Sequence, residues 1–265
     1  GGEGVGGGLV GLWARGHGEL GASELADSSD LCAGCLYGST GAGQETQGAR
    51  CVDNQVFFIR FVQRMVHTLT MHSAAGRLYE VDMRLRPDGE AGALAIGLDA
   101  LENYFVVHGR EWERYAWIKA RALTGERHAD LEAIRRPFVF RKYLDYATLA
   151  AMRKLHAEVR REVARRDLAD NIKLGAGGIR EIEFVAQALQ LIRGGRDREL
   201  AARPTLEVLP LLAAKRLLPD ATARELGEAY VFLRNLEHRL QYLDDAQTHR
   251  FEADAYDVSV EDMKR

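Results

Sequence analysis

The chain has 265 residues, of which 46% are hydrophobic and 28% are charged. This balance is typical of a soluble globular protein with one large domain or two modest ones. The formal net charge of −3 gives no global field that would recruit nucleic acid or an anionic membrane. No apolar run reaches the ~18–20 residues that cross a bilayer, and no signal peptide is visible. We therefore expect a cytoplasmic protein without a nucleic-acid or membrane partner.

The first part of the chain, residues 1–52, is rich in glycine and weakly patterned. We expect one or two strands between residues 9 and 52. Cys32 and Cys35 form a C-x-x-C pair, and Cys51 follows. A zinc site needs a second ligand pair and a redox site needs a thioredoxin-like context, and the sequence offers neither. We interpret the cysteines as reduced cytosolic thiols.

The next segment has the pattern of a helix. Asp53 is a plausible N-cap for a helix from Asn54 to about Met71. Apolar residues recur there at steps of three and four, which predicts one buried stripe. The stripe consists of Val56, Ile59, Val62, Val66 and Leu69.

Residues 77–86 alternate between apolar and charged side chains, which predicts a strand. Residues 87–89 (PDG) predict a turn after it. Asp99 begins another helix, and a further helix carries Trp112, Tyr115, Ile118 and Ala122.

Beyond about residue 131 the pattern predicts helices and no strands. Apolar stripes mark residues 149–163, 179–193 and 226–243, and Gly194 closes the second of these helices. Pro137 is the best candidate for a domain boundary. Long helices with short connections indicate a bundle at about residues 135–249, followed by a polar tail at 250–265 that we expect to be frayed.

Two carboxylates stand out as candidates for chemistry. Asp30 follows a glycine-rich stretch, and Asp82 shares a predicted strand face with Arg84 and Arg86, because residues two apart on a strand face the same side. Carboxylate oxygens suit Mg²⁺ and arginines clamp phosphates, so the set suits phosphoryl or nucleotidyl transfer. The pattern alone favours a simpler interpretation, in which Asp82 pairs with its arginine neighbours on a solvated sheet face.

A glycine-rich turn, then Ser-Asp, then a later strand Asp resembles the polymerase-beta-type nucleotidyltransferase superfamily. Four blocks resemble the glutamine synthetase adenylyltransferases more specifically, and they run in that family's order between about residues 53 and 249. The blocks are residues 81–92 (VDMRLRPDGEAG), 112–121 (WERYAWIKAR), 136–145 (RPFVFRKYLD) and 170–184 (DNIKLGAGGIREIEF).

The resemblance implies an α+β fold, with a polymerase-beta-like nucleotidyltransferase domain at residues 5–130 followed by an all-α helical bundle domain at 135–249. It implies a reaction in which AMP is attached to a tyrosine of glutamine synthetase, or is removed by phosphorolysis that consumes phosphate and releases ADP. The last three blocks look more like the half that removes AMP. Expected partners are glutamine synthetase, a PII signal protein and a second nucleotidyltransferase half, and expected cofactors are Mg²⁺ with ATP, ADP and phosphate.

The resemblance also implies roles for individual residues. Asp30 and Asp82 would bind Mg²⁺. A second group would shape the phosphate turn or counter phosphate charge, and it comprises Gly16, Gly18, Gly21, Ser29, Arg84 and Arg86. Lys119, Lys173 and Arg180 are further candidates for contact with the nucleotide or the partner protein. The alternative for the last two is structural, because the glycines at 175, 177 and 178 permit a tight turn and the charged side chains could pair within the chain.

Two positions depart from the family pattern. Glu19 replaces a lysine beside the phosphates, and Cys32 stands where the second metal-binding Asp is expected. A thiol is a poor ligand for Mg²⁺, so we expect sharply reduced or absent transfer activity. Because the match becomes dense only after Val52, we favour a sequence or frame error in residues 1–50 over decay of the gene.

Three alternatives to an active enzyme stay open. The first is a non-catalytic regulatory module of the same family that binds nucleotide or protein, and Cys32 and Glu19 favour it. The second is a PII uridylyltransferase, and the blocks at 112–121 and 136–145 speak against it. The third is a helical interaction domain that carries a broken N-terminal fragment.

Overall fold

The structure is a computed structural model. It describes residues 12–16, 31–38, 45–46, 51–73, 76–77, 81–123, 128–142, 146–166, 168 and 171–244. The strands are β1 (Leu12–Gly16), β2 (Leu31–Tyr37), β3 (His72–Ser73), β4 (Gly76–Arg77), β5 (Val81–Asp82), β6 (Ala95–Gly97) and β7 (Arg121–Ala122). The helices are α1 (Asn54–Thr70), α2 (Leu98–Val107), α3 (Glu111–Trp117), α4 (His128–Val139), α5 (Tyr146–Arg165), α6 (Ile179–Arg193), α7 (Thr205–Ala214) and α8 (Asp220–Asp244). The chain is therefore α+β, with strands in its first half.

The main sheet has β2 at its centre. One edge of β2 pairs in parallel with β5 near its start and with β6 near its end. The other edge pairs antiparallel with β1, and β1 pairs antiparallel with β7. One or two strands were expected in residues 9–52, and β1 and β2 confirm the expectation. Because β1 and β2 are antiparallel, the carboxyl end of β1 lies beside the amino end of β2.

Helix α1 covers one face of this sheet. The carboxylate of Asp53 accepts hydrogen bonds from the N–H groups of Gln55 and Val56 at 2.8 and 3.3 Å, which confirms the predicted N-cap. The predicted stripe is partly wrong, because Phe58 and Val62 are the buried side chains while Val56 is exposed. The helix is rotated so that Phe58 stacks on Tyr37 of β2.

The opposite face of the sheet packs against α2, α3 and α4. Leu36 of β2 is buried in this core cluster, together with Trp117 at the end of α3. The cluster continues past the predicted boundary, since Phe138, Val139 and Met152 belong to it as well. Pro137 lies within α4 rather than between two separate cores, and the division at residues 130–135 stays a prediction.

Helices α3 and α4 cap each other through two buried arginines. Arg114 of α3 donates to the carbonyls of Phe138 and Val139, at the end of α4. Arg135 of α4 donates to the carbonyls of Trp117 and Ile118, at the end of α3. The last carbonyls of a helix have no partners within it. A cation there also complements the negative end of the helix dipole.

The second half of the described chain, residues 128–244, contains helices and turns. A second core cluster joins α6, α7 and α8, including Ile179, Leu209 and Tyr230. Gly194 ends α6 as predicted, whereas α7 was not predicted. None of the helices in the described residues is long and apolar enough to cross a membrane.

Candidate functional site

Asp82 lies at the end of β5, directly across from Cys32 of β2. Residues paired in this way on neighbouring strands project to the same face of the sheet. Both side chains are partly exposed. In the next pairing, Ala33 of β2 lies opposite Gly16 of β1. The end of β1, where the predicted phosphate turn begins, therefore lies beside the Cys32–Asp82 pair.

Arg84 holds the carboxylate of Asp82 through several hydrogen bonds. Its Nη2 lies 2.8 Å from Oδ2, its Nε lies 3.1 Å from both oxygens, and its backbone N–H donates to Oδ1 at 2.8 Å. These hydrogen bonds lower the pKa of Asp82, although partial burial raises it. Asp82 in turn raises the pKa of Arg84, and Cys32 adds a smaller contribution. The carboxylate is therefore ionised, and the exposed guanidinium of Arg84 covers it.

The predicted strand over residues 77–86 is wrong beyond Asp82. The Asp82 carboxylate accepts the Arg84 N–H, a side-chain-to-backbone bond that competes with strand pairing. Residues 84 and 85 then form a turn, closed by the bond from Arg86 N–H to the Met83 carbonyl. Arg84 and Arg86 consequently do not extend along one strand face beside Asp82.

Arg86 binds the backbone of its own loop. Its guanidinium donates to the carbonyls of Met83 at 2.8 Å, Glu90 at 2.9 Å and Gly92 at 2.9 Å. The expected role in countering phosphate charge does not account for these contacts, which fix residues 83–92 as a compact loop. Arg86 therefore acts on the shape of the loop that follows Asp82.

The same loop is tied to α2 and α3. The N–H of Asp88 donates to the hydroxyl of Tyr104, which donates to Glu113 at 2.9 Å. Asp88 and Gly89 both adopt positive φ, of 60° and 57°, which is the geometry that a tight turn at the predicted PDG sequence requires. The loop is thus anchored to a buried carboxylate.

Several predicted site residues lie outside the described residues. They are Gly18, Gly21, Ser29 and Asp30. Glu19, which departs from the family pattern, also lies outside the described residues. Gly16 is described as the last residue of β1, where it pairs with Ala33 and with Arg121 of β7. The helix predicted to carry Trp112 and Tyr115 is confirmed as α3, but it ends at Trp117 and Ala122 lies in β7, so the predicted stripe is wrong at its end.

Lys119 is buried, and its side chain contacts residues of α6 and α7. Its ammonium lies 2.7 Å from Glu183 Oε1 and 3.2 Å from the hydroxyl of Thr205. Tyr230 also donates to Glu183, at 3.2 Å. Burial raises the pKa of Glu183, but Lys119, Arg180 and Arg234 outweigh it and hold the pKa below its usual range. Lys119 was predicted to contact the nucleotide, but in this structure its ammonium contacts Glu183 and Thr205 inside the chain.

The charged network continues into α8 and the turn before α6. Arg234 donates to the hydroxyl of Tyr230 at 3.2 Å and to Glu237 at 2.6 Å, and Glu237 lies 3.1 Å from Lys173. Sequence reasoning missed Arg234 and Glu237. Their signal is a pair of charged residues one turn apart inside the apolar stripe of a helix, where a buried charge needs a partner.

Several backbone N–H groups in and after the glycine turn before α6 donate hydrogen bonds within the same segment. The N–H groups of Ile179 and Arg180 donate to the carbonyls of Ile172 and Lys173, and the N–H of Gly177 donates to Glu181. Arg180 is half exposed and lies 4.0 Å from Glu183. These contacts support the structural alternative for Lys173 and Arg180.

The two thiols of the C-x-x-C pair do not lie together. Cys32 and Cys35 are three residues apart on one strand, so they project to opposite faces. Cys35 is buried with Phe58 and Met83 under α1, whereas Cys32 faces the side of Asp82. Among the described residues, no group of three or more His, Cys, Asp or Glu side chains could hold a metal ion.

Comparison with known proteins agrees with the motif blocks. The family described as glutamate-ammonia ligase adenylyltransferase matches residues 7–136. A protein from Aromatoleum aromaticum, named bifunctional glutamine synthetase adenylyltransferase/adenylyl-removing enzyme, is 56% identical over 238 residues, which is 90% of this chain. A protein of the same name from Chromobacterium violaceum is 57% identical over 88% of the chain. This chain belongs to the glutamine synthetase adenylyltransferase family.

The matched segment is a minor part of those relatives. It covers 25% of the Aromatoleum protein and 26% of the Chromobacterium protein. The chain therefore spans about a quarter of the length of these relatives. A second family, described as GlnD PII-uridylyltransferase, matches residues 152–263. The helical segment thus resembles a module that two kinds of nucleotidyltransferase share.

Proposed function

We propose that this chain is a nucleotidyltransferase module that acts on the adenylylated tyrosine of glutamine synthetase. Family membership supports the reaction class, and the names of the relatives support glutamine synthetase as the protein substrate. The blocks at residues 112–121, 136–145 and 170–184 support the removal of AMP, in which phosphate is consumed and ADP is released. The proposed fold is a polymerase-beta-like domain at 5–130 and a helical domain at 135–249.

The observation that carries the proposal is the pairing of Asp82 with position 32, beside Gly16. Asp82 pairs with Cys32, where the family resemblance implies a second carboxylate, and the next residue, Ala33, pairs with Gly16, the first glycine of the predicted phosphate turn. Nucleotidyl transfer needs this combination, because charge develops on phosphoryl oxygens while the attacking and leaving oxygens are held in line.

The described residues fit Mg²⁺ only in part. Asp82 supplies hard carboxylate oxygens, whereas Cys32 supplies a soft thiol. We propose Asp30 as the other oxygen ligand on sequence grounds alone. A bound Mg²⁺ would neutralise charge on the transferred group. With Cys32 in the second slot, we propose that transfer is strongly impaired.

Arg84 is the residue of the described site best placed to meet phosphate. Its side chain is 70% exposed and its partner is the proposed metal ligand. When a cation takes over the Asp82 carboxylate, the guanidinium can turn to phosphate oxygens, for which its planar fork is suited. Arg86 is then a positioning residue, since its donors hold the loop carbonyls.

One alternative has a specific observation in its favour. A non-catalytic module that binds nucleotide or protein would explain a thiol in the carboxylate slot. Uridylyl transfer to a PII protein has less support, because that family matches only the helical segment while the relatives that cover about 90% of the chain are adenylyltransferases. We propose PII-type proteins as regulators of this chain and not as its substrates.

The test is an assay of phosphorolysis. The chain is incubated with adenylylated glutamine synthetase, Mg²⁺ and phosphate, and ADP is followed over time. We expect little or no ADP from the chain itself and clear release from a Cys32→Asp, Glu19→Lys double variant. A Cys51→Asp variant is the matched control, because Cys51 is exposed and is not part of β2 or β5.

The outcomes separate the two functions. ADP from the double variant alone would establish a damaged catalytic site. If neither protein releases ADP while both bind adenylylated glutamine synthetase, the chain is a binding module and the catalytic proposal is wrong.

A further inference from the structure

Residues 117–122 lead from the last residue of α3 through strand β7. In β7, Arg121 pairs with Gly16 and Ala122 pairs with Arg15 of β1. Gly16 is the first glycine of the predicted phosphate turn, so the strand that borders the start of this turn is only two residues long. A pairing this short is marginal in water without further support. The position of β7 therefore depends on the contacts that hold the residues before it.

Two arginines from later in the chain hold the backbone before β7. Arg135 of α4 donates to the carbonyls of Trp117 and Ile118. Arg203, which lies just before α7, donates through Nε to the carbonyl of Ala120 at 2.9 Å. Ile118 and Ala120 are fully buried, and a buried carbonyl that loses its donor is left as an unpaired polar group inside the protein. The bond from Arg203 thus fixes the backbone directly before β7.

A single carboxylate binds both of these guanidiniums. Glu132 of α4 accepts from Nε of Arg135 at 3.1 Å and from Nη2 at 2.8 Å. The same carboxylate forms a close ion pair with Nη2 of Arg203. Burial lowers the pKa of Arg135, Glu132 opposes this, and Arg203 adds a smaller lowering. Glu132 therefore lets two like charges point at neighbouring carbonyls, and it orients the fork of Arg203.

Residues 203–205 contact two consecutive positions before β7. Arg203 binds the carbonyl of Ala120, and the hydroxyl of Thr205 lies 3.2 Å from the ammonium of Lys119. Because the two contacts fall on adjacent residues, they fix the direction of the backbone as well as its position. The helical segment thus sets how the chain enters β7.

We propose, on the basis of the function proposed above, that Arg203 is a positioning residue for the phosphate turn. Through the carbonyl of Ala120 it holds β7, and through β7 it holds the end of β1 at Gly16. The amides of a glycine-rich turn bind phosphate oxygens when they point at them together. A shift at Gly16 therefore weakens phosphate binding, although Arg203 acts through the backbone and not by contact with the nucleotide.

The first measurement is amide hydrogen exchange in the original chain and in Arg203→Met. Methionine keeps an unbranched stem and removes the guanidinium. We expect the amides of residues 15–16 and 121–122 to exchange at least fivefold faster in the variant, because β7 and the end of β1 open together. The amides in the interior of α1 and α8 should keep their rates, since the global stability of the chain governs them.

Two further variants make this comparison specific. Lys215→Met is the matched control, because Lys215 is a cation of the same helical segment that pairs with Asp197 and Glu199. It should leave the exchange at β1 and β7 unchanged. Glu132→Gln keeps an acceptor but loses the charge, so it should accelerate the same amides by a smaller factor. This milder change keeps the test decisive if Arg203→Met does not fold.

The second measurement is the affinity for ADP in the presence of Mg²⁺, made in the Cys32→Asp, Glu19→Lys background. Adding Arg203→Met should raise the Kd for ADP at least tenfold, and adding Lys215→Met should not change it. A residue that only stabilises the fold would not alter ADP affinity at a temperature where every variant is folded.

Equal exchange at residues 15–16 with and without the guanidinium of Arg203 would overturn the proposal. So would an acceleration spread evenly over the chain, which indicates general destabilisation. Faster exchange with an unchanged Kd for ADP would make Arg203 a structural residue only. A Cys32→Asp, Glu19→Lys chain that binds no ADP would contradict the proposed function and with it this role, and the exchange rates would still show separately whether Arg203 holds β1.

Discussion

Cys32 and Asp82 occupy directly opposed positions on the parallel strands β2 and β5. Their side chains share one face of the sheet, and Arg84 lies close enough to both to be affected by each. A carboxylate at position 32 would therefore stand next to Asp82, where two anions can share a cation. A single substitution at position 32 would thus turn a carboxylate covered by an arginine into a site with two carboxylates.

The first prediction is that Cys32→Asp creates cation dependence. Two neighbouring carboxylates without a cation repel each other, so the pKa of one of them rises. We expect Mn²⁺, used as a paramagnetic probe, to bind the variant at least tenfold more tightly than the original chain in a water-proton relaxation titration. Cys51→Asp carries the same charge change at an exposed position outside β2 and β5. Equal tightening in that control would mean that the effect is general and not local to Asp82.

A second prediction concerns the hydrogen bonds between Arg84 and Asp82. Because they lower the pKa of Asp82, the unfolded state binds the proton more readily than the folded state. The resulting stability is present above the unfolded pKa of about 3.9 and is lost as pH falls through the folded pKa. Arg84→Ala should raise the pKa of Asp82 towards its ordinary value, so that less stability is lost as the pH falls. Carbon-13 NMR titration of the Asp82 carboxyl measures this pKa directly.

Arg84→Lys serves as the comparison for that experiment. A lysine keeps the charge but lacks the forked geometry, so the pKa of Asp82 should fall between the values for the original and the alanine variant. If the pKa of Asp82 is the same in all three proteins, Arg84 does not hold the carboxylate in solution.

Local patterns in the sequence predicted much of the fold. The N-cap at Asp53, the turn at residues 87–89 and the glycine end of α6 all follow from short-range chemistry, and the structure has each of them. The strand over 77–86 failed because the Asp82 side chain takes the Arg84 amide, a bond that alternation of polarity does not reveal. Helix α7 was missed because it is apolar on both faces and shows no period.

The candidate site was only partly predictable. The motif that contains Asp82 is local, so its place on a strand could be inferred from the sequence, although the strand was expected to continue to residue 86 and ends at Asp82. The role of Arg86 could not, because it depends on three carbonyls that the folded loop brings together. The buried pair of Lys119 and Glu183 is 64 residues apart in sequence, and tertiary packing alone brings it together.

The third prediction tests that buried pair. Lys119→Met leaves Glu183 buried without its nearest cation, a change that costs about 3–5 kcal/mol when one partner of a buried ion pair is removed. We expect a loss of this size in the free energy of urea unfolding at pH 7. Since the pKa of Glu183 is lowered in the folded chain, the pair stabilises the original protein above the unfolded pKa of Glu and ceases to do so as pH falls.

The double variant Lys119→Met, Glu183→Leu is the control for this interpretation. It removes both charges and keeps apolar volume, so most of the stability should return, as expected for replacement of a buried ion pair by packed apolar groups. A double variant as unstable as Lys119→Met alone would show that the ion pair is not the main source of the loss, and that the packing of Lys119 or the contacts of Glu183 with Tyr230 and Arg180 matter more.

The last prediction contrasts two glycines. A Cβ at Gly92 would lie 1.8 Å from the carbonyl oxygen of Pro87, and Gly92 also supplies a carbonyl to Arg86. Gly92→Ala should therefore force the loop after Asp82 to open and cost roughly 1–3 kcal/mol or more, as overpacking does. A Cβ at Gly227 meets no atom of the described residues within 4 Å, so Gly227→Ala should stabilise the chain by about 0.5–1 kcal/mol, because alanine is the better helix former. Urea unfolding of both variants measures the contrast, and NMR of the Asp82 carboxyl should change only for Gly92→Ala. A Gly92→Ala chain with unchanged stability and an unchanged Asp82 signal would mean that the compact loop does not position the carboxylate.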